Sequence, residues 1–180
     1  KLVNSSFFGF FRHIATPEEA VALLGTEVVK SLVLTRALFS TFDAASFPGY
    51  RLDTLWEHSL NTASFAKAIA GVEAMEKRDA DNCFMAGMLH DVGKLVFAAN
   101  MTTMYQEILA RAQQENRTVQ DMEKEIAGAS HGAIGGYLLG LWGLPYQIID
   151  ALAHHHDPAR GKAAEPSVLT VVHAANSLEH

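Results

Sequence analysis

Apolar residues recur along this chain with the spacing of helices. In the stretch 52–70, Leu55, Leu60, Ala63, Ala66 and Ile69 return about once per helical turn. No segment of real length alternates apolar and polar residues between hairpin turns, as exposed strands would. The pattern therefore predicts an all-α domain.

Capping residues mark where the predicted helices begin and end. Thr16 and Pro17 suit an N-cap and a first helical position, Gly25 suits a C-cap, and Thr26 can cap the next helix. Ser130 can cap a glycine-rich helix that begins at His131. Helices are predicted at 17–24, 26–42, 52–70, from Asp79 or Asp81 to 89, at 102–114, 118–127, 131–141 and 145–155, and from Pro166 onward; turns or loops are predicted at 47–49, 116–117, 143–145 and 157–161.

Composition places the chain among ordinary globular domains. It has 180 residues, of which 49% are apolar and 19% charged, so we expect one domain with a substantial core. The net charge of −6 argues against nucleic acid and against an anionic membrane surface as partners. The apolar stretch 138–149, broken by Gly140, Gly143 and Pro145, is too short to span a membrane.

Other features bear on location and on the chain ends. The single cysteine, Cys83, excludes an intramolecular disulfide and fits a reducing, cytoplasmic compartment. The chain starts at Lys1 without a methionine or a leader, so we expect a fragment. Residues 178–180 read Leu-Glu-His, which matches the start of a common purification tag. We therefore expect native sequence to end at Ser177 and do not count His180 as a ligand.

The stretch 89–94, Leu-His-Asp-Val-Gly-Lys, carries the densest candidate chemistry. Neutral imidazole and carboxylate both bind divalent metals, so His90 and Asp91 are candidate ligands. Lys94 adds a cation that can hold a phosphate. Taken alone, Asp91 reads most simply as a solvated acid near a helix C-terminus. Its negative charge opposes the helix dipole there, so it needs a partner such as a metal or a histidine.

Further histidines can complete a metal site. Of the nine histidines, those at or near helix ends or on an apolar helix are His58, His90, His131, His155 and His156. An isolated His58 would more simply donate to a backbone carbonyl. Successive side chains of a helix diverge by roughly 100°, so at most two of residues 154–156 can reach one point. A cationic helix end explains that run equally well.

Two further patterns have structural interpretations. Gly132, Gly136 and Gly140 form a stripe, which favours close packing of another helix over a phosphate-binding loop. The acidic stretch 104–127 can be read as a partner-binding surface of a helical scaffold, although a solvated face is favoured. Its acidic residues are Glu107, Glu115, Asp121, Glu123 and Glu125.

Together these motifs resemble the HDOD domain, a branch of the HD superfamily, over nearly the whole chain. The matching segments are 2–9, 19–25, 58–66, 86–95, 131–135, 142–145, 155–158 and 172–176. The resemblance implies an HD-like helical bundle: a core over 49–177 and, over 1–48, the remainder of an N-terminal helical part that is incomplete here. Residues 178–180 are the expected tag remnant.

The resemblance also implies a bacterial signal-transduction module, joined to fused signalling domains or bound to protein partners, with a homodimer left open. By position, the metal ligands of catalytic relatives match His58, His90, Asp91, His131, His155, His156 and Asn176, and Lys94 matches their phosphate-binding lysine. The implied cofactor is a divalent metal (Fe, Mn, Zn, Ni or Mg).

Two departures from the catalytic pattern decide between functions. Asn176 stands where the HD pattern has an aspartate, and an amide oxygen binds a hard cation more weakly than a carboxylate does. Thr54 stands where HD-GYP relatives have a glutamate, and no GYP signature follows His156. We therefore favour a non-catalytic regulatory module with a degenerate metal site. The alternative is a metal-dependent phosphohydrolase that acts on a nucleotide or cyclic dinucleotide, with Lys94 neutralising phosphate charge.

Overall fold

The computed structural model describes residues 13–40, 51–160 and 166–179, and these residues form helices without any strand. The all-α prediction is confirmed. The helices are α1 (Pro17–Leu24), α2 (Thr26–Ser40), α3 (Leu52–Val72), α4 (Lys77–Leu89), α5 (Val92–Asn100), α6 (Thr102–Glu115), α7 (Val119–Ala127), α8 (His131–Leu141), α9 (Tyr146–His154) and α10 (Val168–Glu179), with a 3-10 turn at Pro158–Arg160. No helix of these ranges combines the length and apolarity needed to cross a membrane.

Several helices begin or end at capping residues that the sequence predicts. Thr16 Oγ1 accepts a hydrogen bond from the backbone N–H of Glu19, and Ser130 Oγ accepts one from Ala133. Gly25 ends α1 with φ 86°, a conformation that favours glycine. Asn116 ends α6 in the left-handed region. The predicted boundaries at these four positions are confirmed.

Two predicted helix starts are wrong. Helix α4 begins at Lys77, and Asp79 lies inside its first turn, where a carboxylate favours the helix dipole without being the cap. Helix α10 begins at Val168 and not at Pro166. Ser167 precedes it as a capping residue, since Ser167 Oγ accepts from the Thr170 N–H and Thr170 Oγ1 accepts from the Ser167 N–H.

Other boundaries differ less. Helix α5 was not predicted, although it starts directly after Asp91. Helix α9 is one residue shorter at each end than predicted. Helix α2 can be compared only as far as Ser40, and the predicted turn at 47–49 lies outside the described residues.

The helices pack around one main core and a smaller second one. Helix α4 lies against α2, α3, α9 and α10, and α8 lies between α5 and α9. Leu60, Cys83, Leu89, Leu152 and Val172 belong to the main core. The second core joins α5, α6 and α7, where the rings of Phe97 and Tyr105 stack with centroids 5.5 Å apart. The free cysteine has its thiol pKa raised to about 12 by burial and serves as a small apolar group.

Glycines allow α8 to approach both of its neighbours. A Cβ on Gly132 would lie 2.6 Å from the Leu152 carbonyl oxygen, and one on Gly136 would lie 3.2 Å from Ala153 Cβ. The predicted close packing along this stripe is confirmed, with α9 as the partner. On the other side, a Cβ on Gly93 would lie 1.9 Å from the His131 carbonyl oxygen. This contact joins α5 to the first turn of α8 and brings Asp91 close to His131.

Candidate metal centre

The break between α4 and α5 places His90 and Asp91 in the interior. Helix α4 ends at Leu89, and α5 starts at Val92 with Asp91 as its N-cap residue. The Asp91 side chain makes no capping hydrogen bond, so its carboxylate is available to face the centre of the bundle. His90 and Asp91 are buried, with exposed fractions of 0% and 2%. The expected solvated acid is therefore excluded.

The Asp91 carboxylate is the midpoint of a cluster built from five helical segments. Its Oδ2 atom lies 3.4 Å from His90 Nε2 and 3.6 Å from His58 Nε2, on α3. Its Oδ1 atom lies 3.2 Å from His131 Nε2, at the start of α8, and 3.8 Å from His155 Nε2, after α9. One carboxylate thus faces two groups of imidazoles.

The potential ligand atoms fall into two groups, each within 4.8 Å: His58 with His90 and Asp91, and His131 with His155 and His156. Within the second group, the Nε2 atom of His131 lies 3.3 Å from that of His155 and 3.2 Å from that of His156. We call these residues the histidine–aspartate cluster. His154 lies outside it, 3.9 Å from Asp150, in agreement with the prediction that at most two of residues 154–156 reach one point.

Hydrogen bonds on the outer side of the cluster determine which imidazole nitrogens carry protons. His90 Nδ1 lies 2.8 Å from the Gly87 carbonyl oxygen, and His155 Nδ1 lies 2.8 Å from that of Leu152. A carbonyl oxygen only accepts hydrogen bonds, so both Nδ1 atoms must donate. In the neutral ring, Nε2 then carries a lone pair. His131 has the same orientation, because its Nδ1 lies 2.6 Å from a Glu123 carboxylate oxygen.

The neutral cluster therefore directs lone pairs at one another. His131 and His155 bring their Nε2 atoms to 3.3 Å, and no hydrogen lies between them when both rings are neutral, because both Nδ1 atoms carry the proton. Among the described residues, Asp91 Oδ1 accepts no hydrogen bond of good geometry, although it is fully buried. Such an arrangement requires a cation, either a proton or a metal ion, to be stable. The donor set therefore fits a metal.

The electrostatics of the cluster keep most of its imidazoles neutral. Burial lowers the pKa of His155 well below its usual value, and the neighbouring His90 adds to this effect. Burial and His131 lower the pKa of His156 to about 3, and burial and His90 lower that of His58. Neutral imidazole is the form that binds metal.

Asp91 and His131 keep their charges more readily. Burial opposes ionisation of Asp91, but His90 and Lys94 outweigh it and hold the pKa of the carboxyl well below its usual value. Burial likewise opposes protonation of His131, but the carboxylates of Asp91 and Glu123 outweigh it and raise the pKa of the ring. A proton on His131 thus competes with a metal for the same lone pair.

The Lys94 ammonium lies at the side of the cluster. Its Nζ atom is 2.6 Å from Asp91 Oδ2, one helical turn further along α5. The lysine side chain is 20% exposed, so it reaches from the surface to the buried carboxylate. It neutralises the Asp91 carboxylate from the surface side.

Asn176 also belongs to this part of the fold. It lies on α10 one turn after His173, whose Nδ1 donates to the His155 carbonyl oxygen, and one turn before Glu179, whose carboxylate contacts His58. Asn176 is 5% exposed, and its Oδ1 atom is buried without a hydrogen-bond partner among the described residues.

Glu123 is a functional candidate that the sequence analysis missed. It was assigned to an acidic solvated face, but it is 0% exposed and its Oε2 atom accepts from both the N–H and the Nδ1 of His131. The error has a recognisable cause. On α7, Val119, Met122, Glu123 and Ile126 have the i, i+3, i+4, i+7 spacing of a buried stripe, and Glu123 is the one charged residue in it.

Comparison with known proteins identifies the family of the chain. The family model of the HDOD domain matches residues 1–158. The chain belongs to the HDOD domain family. It is 28% identical, with a TM-score of 0.79, to the crystal structure of an HDOD domain protein of unknown function from Geobacter sulfurreducens, covering 98% of this chain and 58% of that one. It shares the fold, at 24% identity and a TM-score of 0.55, with the MmoQ response regulator of Methylococcus capsulatus, covering 99% of this chain and 68% of that one.

The HDOD chain is also similar in sequence to parts of longer proteins. It is 27% identical over 179 residues to an uncharacterized protein of Treponema pallidum, covering 97% of this chain and 33% of that protein. It is 32% identical over 123 residues to ribonuclease Y of Thermus thermophilus, covering 68% of this chain and 16% of the enzyme. The chain thus spans a third or less of these relatives.

Proposed function

We propose that this HDOD domain is a regulatory signalling module whose histidine–aspartate cluster binds a divalent metal without hydrolysing phosphodiesters. The observation that carries the proposal is the convergence of four imidazole Nε2 atoms on the buried carboxylate of Asp91. Protein partners, or domains fused to this one in a longer protein, would then respond to the metal-bound state of the domain. The relation to a response regulator supports a signalling context.

The donor chemistry favours some metals over others. The proposed ligands are the imidazoles of His58, His90, His131, His155 and His156, with the carboxylate of Asp91 and the amide oxygen of Asn176. Imidazole suits Fe, Mn, Zn and Ni, whereas Mg²⁺ prefers an all-oxygen site. A divalent ion at this site would replace the repulsion between lone pairs with coordinate bonds, and would therefore stabilise the packing of α3, α5, α8 and α9.

The charges around the cluster argue against hydrolysis. Among the described residues, Asp91 is the carboxylate that faces the inner Nε2 atoms of the imidazoles, and Lys94 already neutralises it at 2.6 Å. Asn176 contributes a neutral oxygen where catalytic relatives are expected to have a carboxylate. A metal there would have little anionic support for activating water, which is the chemistry it supplies in hydrolytic HD enzymes.

The second candidate is a metal-dependent phosphodiesterase. The nearly complete ligand set and the position of Lys94 beside Asp91 favour it, as does the similarity to a ribonuclease over 68% of the chain. In this reading Lys94 holds a phosphate oxygen while the cluster holds the metal. Substrates would then be a nucleotide or a cyclic dinucleotide.

One experiment separates the two candidates. Protein is purified without a histidine tag, because such a tag scavenges nickel, and its metal content is measured by mass spectrometry. Hydrolysis of a cyclic dinucleotide and of bis-p-nitrophenyl phosphate is then assayed with Mn²⁺. We expect bound metal that is lost in His90→Ala, and no turnover. Turnover that His90→Ala abolishes would establish the phosphodiesterase, and absence of metal after reconstitution would overturn the proposed metal site.

The Asn176→Asp variant tests the reason for the missing activity. A carboxylate at this position restores the charge that the catalytic pattern requires, so we expect tighter metal binding than in the natural chain. If Asn176→Asp binds metal no more tightly than the natural chain, then the position of Asn176 is not part of the site.

A further inference from the structure

Glu123 is buried in a place where its charge needs an explanation. Its side chain is 0% exposed, its Oε2 atom accepts from two groups of His131, and its Oε1 atom has no hydrogen-bond partner among the described residues. Among the described residues, its ion-pair contact is with His131. A buried carboxylate is costly unless it is paired, so this position is not explained by packing.

A purely structural role accounts for half of the arrangement. His131 is the first residue of α8, and a carboxylate that accepts its N–H stabilises the helix N-terminus. Ser130 already caps this helix through the N–H of Ala133, however. The second hydrogen bond, from His131 Nδ1 at 2.6 Å, does nothing for the helix. It fixes the ring so that Nε2 faces Asp91 at 3.2 Å.

Glu123, His131 and the histidine–aspartate cluster are arranged like the carboxylate, the histidine ligand and the metal of many metal sites. A carboxylate that accepts from the outer nitrogen of a ligating imidazole sets its tautomer and raises its basicity. His90 and His155 instead donate their Nδ1 protons to neutral backbone carbonyls. Among these three rings, His131 is therefore the one that receives a full negative charge on its outer side.

We propose that Glu123 is a positioning residue of the metal centre, which through His131 supplies the second negative charge that Asn176 does not provide. The proposal rests on the metal binding proposed above. It also changes the charge balance of the site. With Asp91 and Glu123 together, a divalent ion is matched by two carboxylates, one among the ligands and one behind them.

The test compares two substitutions that separate charge from hydrogen bonding. Glu123→Gln keeps an oxygen that can accept from His131 and removes the charge, whereas Glu123→Asp keeps the charge and shortens its reach. Glu125→Gln, on the exposed side of the same helix, is the matched control. Co²⁺ affinity is measured on tag-free protein from the d–d absorption bands, and folding is checked by circular dichroism and thermal unfolding.

We expect Glu123→Gln to weaken Co²⁺ binding by about 10- to 100-fold and to shift the d–d bands, with Glu123→Asp between it and the natural chain. Glu125→Gln should bind as the natural chain does. Affinity in Glu123→Gln equal to that of the natural chain, or higher than in Glu123→Asp, would overturn the proposal and leave Glu123 as a helix cap. Absence of Co²⁺ binding in the natural chain would instead overturn the metal site itself, before any variant is compared.

Discussion

The Lys94 ammonium lies 2.6 Å from Asp91 Oδ2, so the carboxylate at the midpoint of the histidine–aspartate cluster is paired with a cation before any metal binds. Asp91 is 2% exposed, and a carboxylate buried to this degree is stable only with a charged or hydrogen-bonded partner. Lys94 and a metal ion would therefore both stabilise the negative charge of Asp91. The stability of the metal-free protein should depend on Lys94 more than that of the metal-bound protein does.

Lys94→Met should lower the free energy of unfolding of the metal-free protein by about 2–4 kcal/mol, because it leaves Asp91 ionised without its cation. The loss should be smaller with saturating Mn²⁺, which compensates the same charge. Urea unfolding with EDTA and with Mn²⁺ measures both values. Lys67→Met, which removes a more exposed ion pair with Asp81, is the control and should cost less than about 1 kcal/mol in either condition. Equal losses for Lys94→Met with and without metal would contradict this account.

Gly93→Ala and Gly140→Ala should change stability in opposite directions. A Cβ at position 93 would lie 1.9 Å from the His131 carbonyl oxygen, which is backbone and can move only if α5 and α8 separate. At position 140 the nearest atom is Ile149 Cδ1 at 3.5 Å, an ordinary contact. We expect Gly93→Ala to destabilise by about 3 kcal/mol or more. Gly140→Ala should stabilise by about 0.5–1 kcal/mol, the usual gain of replacing a helical glycine.

Thermal and urea unfolding of both glycine variants measure these changes, and the metal affinity of Gly93→Ala gives a second result. Because the Gly93–His131 contact brings Asp91 and His131 together, its disruption should weaken metal binding as well. A Gly93→Ala protein as stable as the natural chain would mean that α5 and α8 approach less closely than described.

The sequence was most informative where a single residue type has one strong local effect. Caps such as Thr16 and Ser130 set helix ends through hydrogen bonds to residues three positions away, so the relevant information is local. The helical stripe of Gly132 and Gly136 likewise indicated close packing, although not which helix would pack there. The cluster residues could be selected because histidines at helix ends and a family pattern pointed to them.

The parts that the sequence did not reveal depend on distant contacts. Helix α5 was missed although Asp91 is a residue type that often caps a helix; in the structure the Asp91 side chain makes no capping hydrogen bond and faces the cluster instead. Glu123 was assigned to the solvent because the acidic composition of the stretch around it suggested a polar face, whereas its spacing with Met122 and Ile126 indicated burial. For Glu123 the hydrophobic spacing was a better guide than the residue type, since burial of a charge is decided by partners elsewhere in the chain.

The three adjacent histidines provide a matched pair for the metal site. His155 is 1% exposed and directs Nε2 to His131, whereas His154 lies beside Asp150 on α9. We expect His155→Ala to reduce metal affinity by at least about 10-fold and His154→Ala to leave it unchanged. Isothermal titration of tag-free protein with Mn²⁺ or Zn²⁺ measures this difference. Equal affinities in the two variants would show that the metal lies outside the histidine–aspartate cluster.

Acid should destabilise the metal-free protein between pH 7 and pH 5. The pKa values of His58, His155 and His156 are lowered in the folded state, so below about pH 6.5 the unfolded chain binds more protons than the folded one. The free energy of unfolding then falls as pH falls, by up to about 1.4 kcal/mol per pH unit for each such histidine. His131 acts in the opposite sense, because its raised pKa gives stability that is present at low pH and lost as pH rises.

The three histidines with lowered pKa values outweigh the one with a raised pKa. The free energy of unfolding should therefore fall by an amount on the order of 2 kcal/mol from pH 7 to pH 5. Asp91 does not contribute in this range, because its lowered pKa matters only as pH falls below about 4. Urea unfolding in EDTA at half-unit intervals measures the slope, and His155→Gln should make it shallower because one of the neutral buried imidazoles is gone. With metal bound the slope should become steeper, since protons then displace the ion from His131 and its neighbours. Stability that rises toward pH 5 would mean that the cluster already holds protons in the folded state at neutral pH, and that a proton rather than a metal separates the facing lone pairs.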